Sequence, residues 1–151
     1  MEKYKSIVKL IDENRDKINF GEFGSGISDL WISRAQKRLN VTFPPSYIWW
    51  LKNYSGGEVL GEEIFSVYEM DFDTVVGGDI VYVNELNRKQ NFSDRTQLVL
   101  QKTDRAEIFY FDLQNPNENG EYPVYRAFAD IKVKYAEDFL DFLKGKITYE
   151  W

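Results

Sequence analysis

Between Leu39 and Gly61 the chain reads LNVTFPPSYIWWLKNYSGGEVLG, and no other stretch limits the fold as strongly, because a helix stop, a second helix start and a glycine exit follow one another directly. Asn40 is a residue type that tolerates the left-handed conformation closing a helix. Pro44 and Pro45 pre-set the backbone angle of a helix start. Tyr47, Trp50, Leu51 and Tyr54 recur at i, i+3, i+4 and i+7, which makes one apolar helix face. Ser55, Gly56 and Gly57 then end the helix, since glycine takes the position after a last turn without steric cost.

The flanking sequence supplies the other elements. Tyr4, Ile7, Val8 and Ile11 predict a first amphipathic helix, and Phe20 to Gly26 reads as a flexible joint behind it. Ser28 is a good N-cap for a second helix, with Ile27 placed to staple against Ile32 and with Ile32, Ala35 and Leu39 as its buried stripe. From Glu58 to Tyr68 the pattern alternates, with Ile64, Ser66 and Tyr68 against Phe65 and Val67, as in a strand pair. Asp73 or Thr74 is the expected cap of a helix running to about Gln90, carrying Ile80, Val83 and Asn87 on one side, with Gly77 and Gly78 weakening its first turn. Gln97 to Gln101, Glu107 to Asp112 and Tyr122 to Phe128 read as three strands. The middle one is apolar on both faces at Ile108 to Phe111 and is expected to be central. Asn115 to Gly120 is a turn-rich loop, and a last helix places Tyr135, Phe139, Phe142 and Leu143 on one face. The expected fold is α+β: a single, mostly antiparallel sheet of about five or six strands packed with N-terminal helices and a C-terminal helix, in one domain over 1–151.

Composition narrows the chemistry. The chain has 151 residues, of which 43% are apolar and 17% aromatic, so a globular core is expected. No apolar run approaches the ~18 residues of a membrane span, and the mixed charges of MEKYKSIVKLIDEN lack the uninterrupted segment of a secretory signal, so the expected location is cytoplasmic. Cysteine and histidine are both absent. Disulfides, thiolate chemistry, the usual general base and the commonest zinc ligand are therefore excluded. A net charge of −6 speaks against direct nucleic-acid binding.

The order of these motifs resembles the SUKH superfamily of Smi/Knr-like proteins. The positions that carry the resemblance are Ile32 and Leu39, Phe43-Pro44, Tyr47, Leu51, Tyr54 and Ser55-Gly56-Gly57, and at the other end Ala136, Phe139, Phe142 and Leu143 as the final helix. Together they span roughly residues 27 to 145. Gln36 stands where the family commonly has Glu, and Lys102 to Ala106 replaces a turn usually rich in Gly and Asp. The resemblance implies a compact α+β domain used mostly as an immunity protein against a secreted bacterial toxin. Some relatives serve instead as regulatory or cell-wall-linked interaction scaffolds.

Charge is segregated along the chain. Between Asn53 and Asn87 stand eight acids (Glu58, Glu62, Glu63, Glu69, Asp71, Asp73, Asp79 and Glu85) and no Lys or Arg. Such a field steers a basic partner into encounter, and a toxin that degrades nucleic acid carries a basic substrate face. The bland alternative is a set of solvated carboxylates scattered over several elements. Glu62-Glu63, or Asp71 with Asp73, would suit a glycosidase only if set about 5 to 9 Å apart, and no calcium-loop pattern is present. Gly56-Gly57 and Gly77-Gly78 complete no phosphate-binding motif. Trp31, Trp49, Trp50 and Trp151 are more tryptophan than a core needs. Trp49 points partly away from the inward stripe, as interface material or as packing under the sheet. The Asn-x-Ser/Thr triplets at Asn40, Asn53 and Asn91 matter only in a secreted protein.

The expected function is a non-enzymatic immunity protein that covers a cognate basic toxin, a nuclease being one candidate. Glu58, Glu62, Glu63, Glu69, Asp71 and Asp73 supply charge, with Trp49 and Tyr68 at the desolvated centre. No cofactor, metal, nucleic acid or membrane is expected to take part, and the chain is expected to be a monomer or weak homodimer.

Overall fold

The structure, a computed structural model, describes residues 2–149; Trp151 lies outside the described residues. Helix α1 (Glu2–Glu13) precedes strand β1 (Ile18–Phe20), helices α2 (Asp29–Leu39) and α3 (Pro45–Tyr54), and the hairpin β2 (Gly57–Val59) and β3 (Glu62–Ile64). Helix α4 (Ile80–Lys89) then leads to β4 (Gln97–Lys102), β5 (Ile108–Asp112), β6 (Val124–Phe128), β7 (Ile131–Ala136) and helix α5 (Phe139–Thr148).

Helix α3 is the hub, with Tyr47, Trp50, Leu51 and Tyr54 all fully buried. Tyr47 sits edge-on to Phe43, Phe111 and Phe139 at ring separations of 5.2, 5.7 and 5.2 Å, the arrangement that aromatic quadrupoles favour. A helix buried this deeply cannot leave its terminal donors and acceptors to water. Its N-terminus has no cap side chain of its own, because Pro44 stands at the N-cap. Glu121, from the loop between β5 and β6, takes that place, accepting from the Ser46 backbone amide at 2.9 Å and from the Ser46 hydroxyl at 2.6 Å.

The C-terminal end of α3 corrects the expectation of a flexible joint. Residues 18–20 form β1, and the segment behind it is strapped along the last turn: the amides of Gly21, Gly24 and Ile27 donate to the carbonyls of Tyr54, Asn53 and Leu51 at 2.9, 2.8 and 2.9 Å. The approach is so close that a Cβ on Gly26 would lie 2.0 Å from the Lys52 carbonyl oxygen. Ser55 itself takes the left-handed conformation, with φ 67°, and its hydroxyl donates to the Ser25 carbonyl at 2.6 Å.

Helix α2 forms as its sequence suggests. Ser28 accepts from the Trp31 amide at 3.4 Å, and Asn40 closes the helix in the left-handed region, with φ 55°. Gln36 then accepts from the Phe43 amide at 2.7 Å, fixing the turn into α3.

The strands divide into two antiparallel sheets, of order β1-β2-β3 and β4-β5-β6-β7, rather than the single sheet expected. The break falls at Phe65. Its amide donates to the Leu100 carbonyl at the irregularity in β4, while its carbonyl accepts from the Tyr47 hydroxyl at 2.7 Å, so the ladder cannot continue from β3 into β4. As expected, β5 is interior, with Phe109, Tyr110 and Phe111 buried. Tyr135 and Ala136 belong to strand β7 and not to the last helix, which starts at Phe139 under an Asp138 cap. Tyr135 still meets that helix, its ring 5.9 Å from Phe142 and 5.0 Å from Phe109, which is why its spacing imitates a helical stripe.

The fourth helix also starts later than Asp73 or Thr74. Asp79 is its cap, fully buried and accepting from the Val81 and Tyr82 amides at 2.9 and 3.1 Å. Its inward residues are Ile80, Val81 and Asn84. The Asn84 amide group pairs with both backbone groups of Val99, at 2.9 and 2.8 Å, and so closes the outer edge of β4.

Two outcomes follow. Ala106, exposed in the turn between β4 and β5, has φ 63°, a conformation that costs an L-residue roughly 1–2 kcal/mol. Ala106→Gly should therefore raise stability by about 1 kcal/mol, read as a rise in melting temperature of about 2–4 °C; an unchanged or lower melting temperature contradicts the strain.

The second concerns Glu121. Burial holds its carboxyl above the ordinary value of 4.5, with the Ser46 bonds opposing. The folded chain thus keeps a proton that the unfolded chain releases, and this group's contribution to stability falls as pH climbs from 4.5 through the raised value. Glu121→Gln should remove that fall, and Glu121→Ala should cost about 1–3 kcal/mol by leaving the buried Ser46 donors unmet. Urea unfolding at pH 4.5 and 7 checks both, and a wild-type-minus-Gln difference independent of pH contradicts the first.

Candidate partner-binding surface

Eleven residues, 69–79, connect the half-buried Tyr68 to α4, and they are tied to α2. Glu69 accepts from the Ser28 amide at 3.1 Å. Asp71 folds the next turn, its carboxylate accepting from the Asp73 amide at 2.9 Å and its carbonyl from the Thr74 and Val75 amides at 3.1 and 2.9 Å. Val75 is buried under the loop. Phe72 meets Trp31 of α2 edge-on at 5.6 Å, and the Arg34 guanidinium lies over the Trp31 ring at 5.1 Å. Arg38 joins the loop to α4, holding Asp73 at 3.0 Å and Glu85 at 2.7 and 3.1 Å.

Three exposed apolar side chains stand on the two segments that this pair joins. Leu30 is 58% exposed, Met70 51% and Val76 64%. Glu69, Asp71 and Asp73 lie on the same loop, and Arg38 links Asp73 to Glu85 of α4. An apolar centre with a charged rim is the anatomy of a protein interface, and the Trp-Arg pair is typical of its most energetic spots.

The residues singled out from sequence separate into groups. Glu69, Asp71 and Asp73 share this surface. Glu63 and Tyr68 are tied to each other: the Tyr68 hydroxyl donates to the Glu63 carboxylate and accepts from the Gly78 amide at 2.9 Å, while the Tyr68 amide donates to Asp79 at 3.0 Å. Burial, then the Glu63 bond, pushes the Tyr68 hydroxyl up to about 12. Glu58 lies directly across from Glu63 in the β2-β3 register. Glu62 is turned to the far sheet, accepting from the Asp104 amide at 2.9 Å. Trp49 belongs to another surface, edge-on to Tyr4 at 4.9 Å and to Tyr54 at 5.8 Å, in an open groove of about 480 Å³ with Val8 and Phe23.

The eight acids are thus not one free field, since Arg38 from outside the stretch holds two of them and Asp79 is a buried cap. Sequence reasoning counted Trp31 only among the surplus tryptophans and passed over Arg34 and Arg38. Their spacing of i, i+3 and i+7 on the flank of α2 next to Ile32, Ala35 and Leu39 was the available signal. Among the described residues, no group of three or more acidic side chains is placed to hold a metal ion, and no helix is long and apolar enough to cross a membrane.

Two small antiparallel sheets around a buried aromatic helix define an α+β fold. Residues 29–143 match the model of the SUKH_6 family, described as SMI1-KNR4 cell-wall, and the chain belongs to that family. The match begins at the first residue of α2 and ends inside α5, so it takes in both the hub helix and the strapped loop.

Arg38→Ala should cost less than about 1 kcal/mol in global stability, as exposed ion pairs do. It should nevertheless speed hydrogen exchange at the Thr74 and Val75 amides, because the guanidinium is what joins their loop to α4. Unchanged exchange there would show that Phe72 and Glu69 hold the loop unaided.

Proposed function

We propose that this protein is a cytoplasmic immunity protein, which binds a cognate secreted bacterial toxin and neutralises it by covering its active site, without catalysing a reaction of its own. The observation that carries the reading is the loop held on α2 through Trp31 and Arg38, which carries the exposed Met70 and Val76 together with Glu69, Asp71 and Asp73. Family membership supports it, since the superfamily is immunity-protein-like. A basic partner fits the rim, and a nuclease is the toxin class whose substrate-binding face is basic by necessity. Glu58 and Glu63, paired across the β2-β3 hairpin, extend the charge, Glu62 is turned to the β4-β5 turn, and Trp49 offers a separate contact. An interface of this kind covers about 800 Å² on each partner.

A second reading has its own support, because the family description carries the words cell-wall. On that reading the same surface recruits a regulatory or structural partner, and no toxin is involved. Co-expression with a toxin encoded beside this protein separates the two. Immunity predicts restored growth and co-purification, both lost in an Asp71→Lys, Asp73→Lys variant that still folds. It also predicts an association rate that falls steeply as ionic strength rises through about 0.15 M. Unrestored growth sinks the immunity reading; a salt-independent rate sinks only electrostatic steering.

A further inference from the structure

Helix α1 carries its charges in an order that works against the helix itself. Lys5 and Lys9 precede Asp12 and Glu13, and the last turn holds no basic residue. The helix macrodipole favours the reverse, with acids at the start and bases at the end. A Lys four residues before a Glu, as Lys9 is before Glu13, is also the weaker orientation of a helical pair. All four side chains are exposed, and among the described residues none forms an ion pair with any of them.

The same four residues border an apolar groove. Tyr4 and Val8 of α1 line it together with Trp49 and Phe23, around a volume of about 480 Å³. Tyr4 meets Trp49 edge-on at 4.9 Å, and Phe23 is 56% exposed. Lys5 and Lys9 stand toward one end of the groove, and Asp12 and Glu13 toward the other.

A groove that is basic at one end and acidic at the other is complementary to its own copy turned end for end. In an antiparallel crossing centred between Val8 and Lys9, Lys5 lies opposite Asp12 of the second copy. Lys9 lies opposite Val8 of the second copy and within one turn of that copy's Asp12. The two-fold axis repeats each contact, as an isologous interface requires. The apolar side chains of both grooves are then covered. A partner of uniform charge would instead meet like charge at one end.

We propose that α1 and the Trp49 groove form a two-fold interface between two copies of this chain. The contact that Trp49 offers is then to the second copy, and the residues of the α2 surface take no part. The pairing does not rest on the toxin reading.

Sedimentation velocity on the full chain from about 10 µM to about 1 mM covers the range in which a weak pair assembles. The apparent mass should rise toward twice that of one chain, and amide shifts on concentration should centre on residues 4–13 with Phe23 and Trp49. A Lys5→Glu, Lys9→Glu variant and an Asp12→Lys, Glu13→Lys variant, each with unchanged circular dichroism, should associate about tenfold more weakly or worse, since their cross-pairs meet like charge. All four substitutions in one chain keep the net charge at −6 and follow the macrodipole, and they should restore the pair. A wild-type chain that keeps the mass of one copy throughout, shifts centred elsewhere, double variants that associate as wild type does, or a fourfold variant no tighter than the double ones would each overturn the proposal.

Discussion

The fold depends on burying both ends of one helix. A surface helix can hand its unpaired terminal groups to water, but α3 has fully buried side chains along one face and buried Ser46 in its first turn, so its end groups need protein partners. Those partners come from both directions along the chain. Residues 21–27, which precede α3, serve its last carbonyls, and Glu121, far behind it, serves its first amide. Tyr47 adds a third tie by taking the Phe65 carbonyl, and in doing so it separates the two sheets. One helix thereby fixes the first strand, the sheet boundary and the long β5-β6 loop. Losing the Glu121 or the Tyr47 tie leaves a buried polar group without its partner, and that penalty exceeds the net worth of an ordinary hydrogen bond.

What could be read in advance was what is local. Asn40, Pro44, Pro45 and the aromatic spacing of α3 name their own element, because caps and periodicity are decided within a few residues. The β5 strand was legible as central because it is apolar on both faces. The errors lie where a distant partner decides. Phe20 to Gly26 looks like a free joint, since Gly21 and Gly26 serve close approach to α3, and proximity across the fold leaves no local mark. Tyr135 mimics a helical position because it touches Phe142 from the neighbouring strand. Asp79 outcompetes Asp73 as the helix cap since Gly77 and Gly78 let the chain turn beneath Tyr68, a contact no spacing rule contains.

The same distinction applies to the surface. An acid count in sequence treats eight carboxylates as one field, yet folding assigns them separate duties. Asp79 caps, Glu63 holds Tyr68, Glu62 holds the β4-β5 turn, and Arg38 takes Asp73 and Glu85. What is left is smaller: Glu69 and Asp71 on the loop, the exposed Leu30, Met70 and Val76, and the Trp31–Phe72 pair. The core and this surface use different residues of the same elements. In α2, Ile32, Ala35 and Leu39 face inward, and Trp31, Arg34 and Arg38 hold the strapped loop.

The central claim is that this domain works by contact through the α2 face. Hydrogen exchange on the complex with its partner, mapped residue by residue, tests that most directly. The account predicts new protection confined to residues 28–38 and 69–76, with α3 already protected in the free protein and unchanged. Protection centred instead on the Trp49 groove with α1, with residues 69–76 exchanging as before, would contradict it.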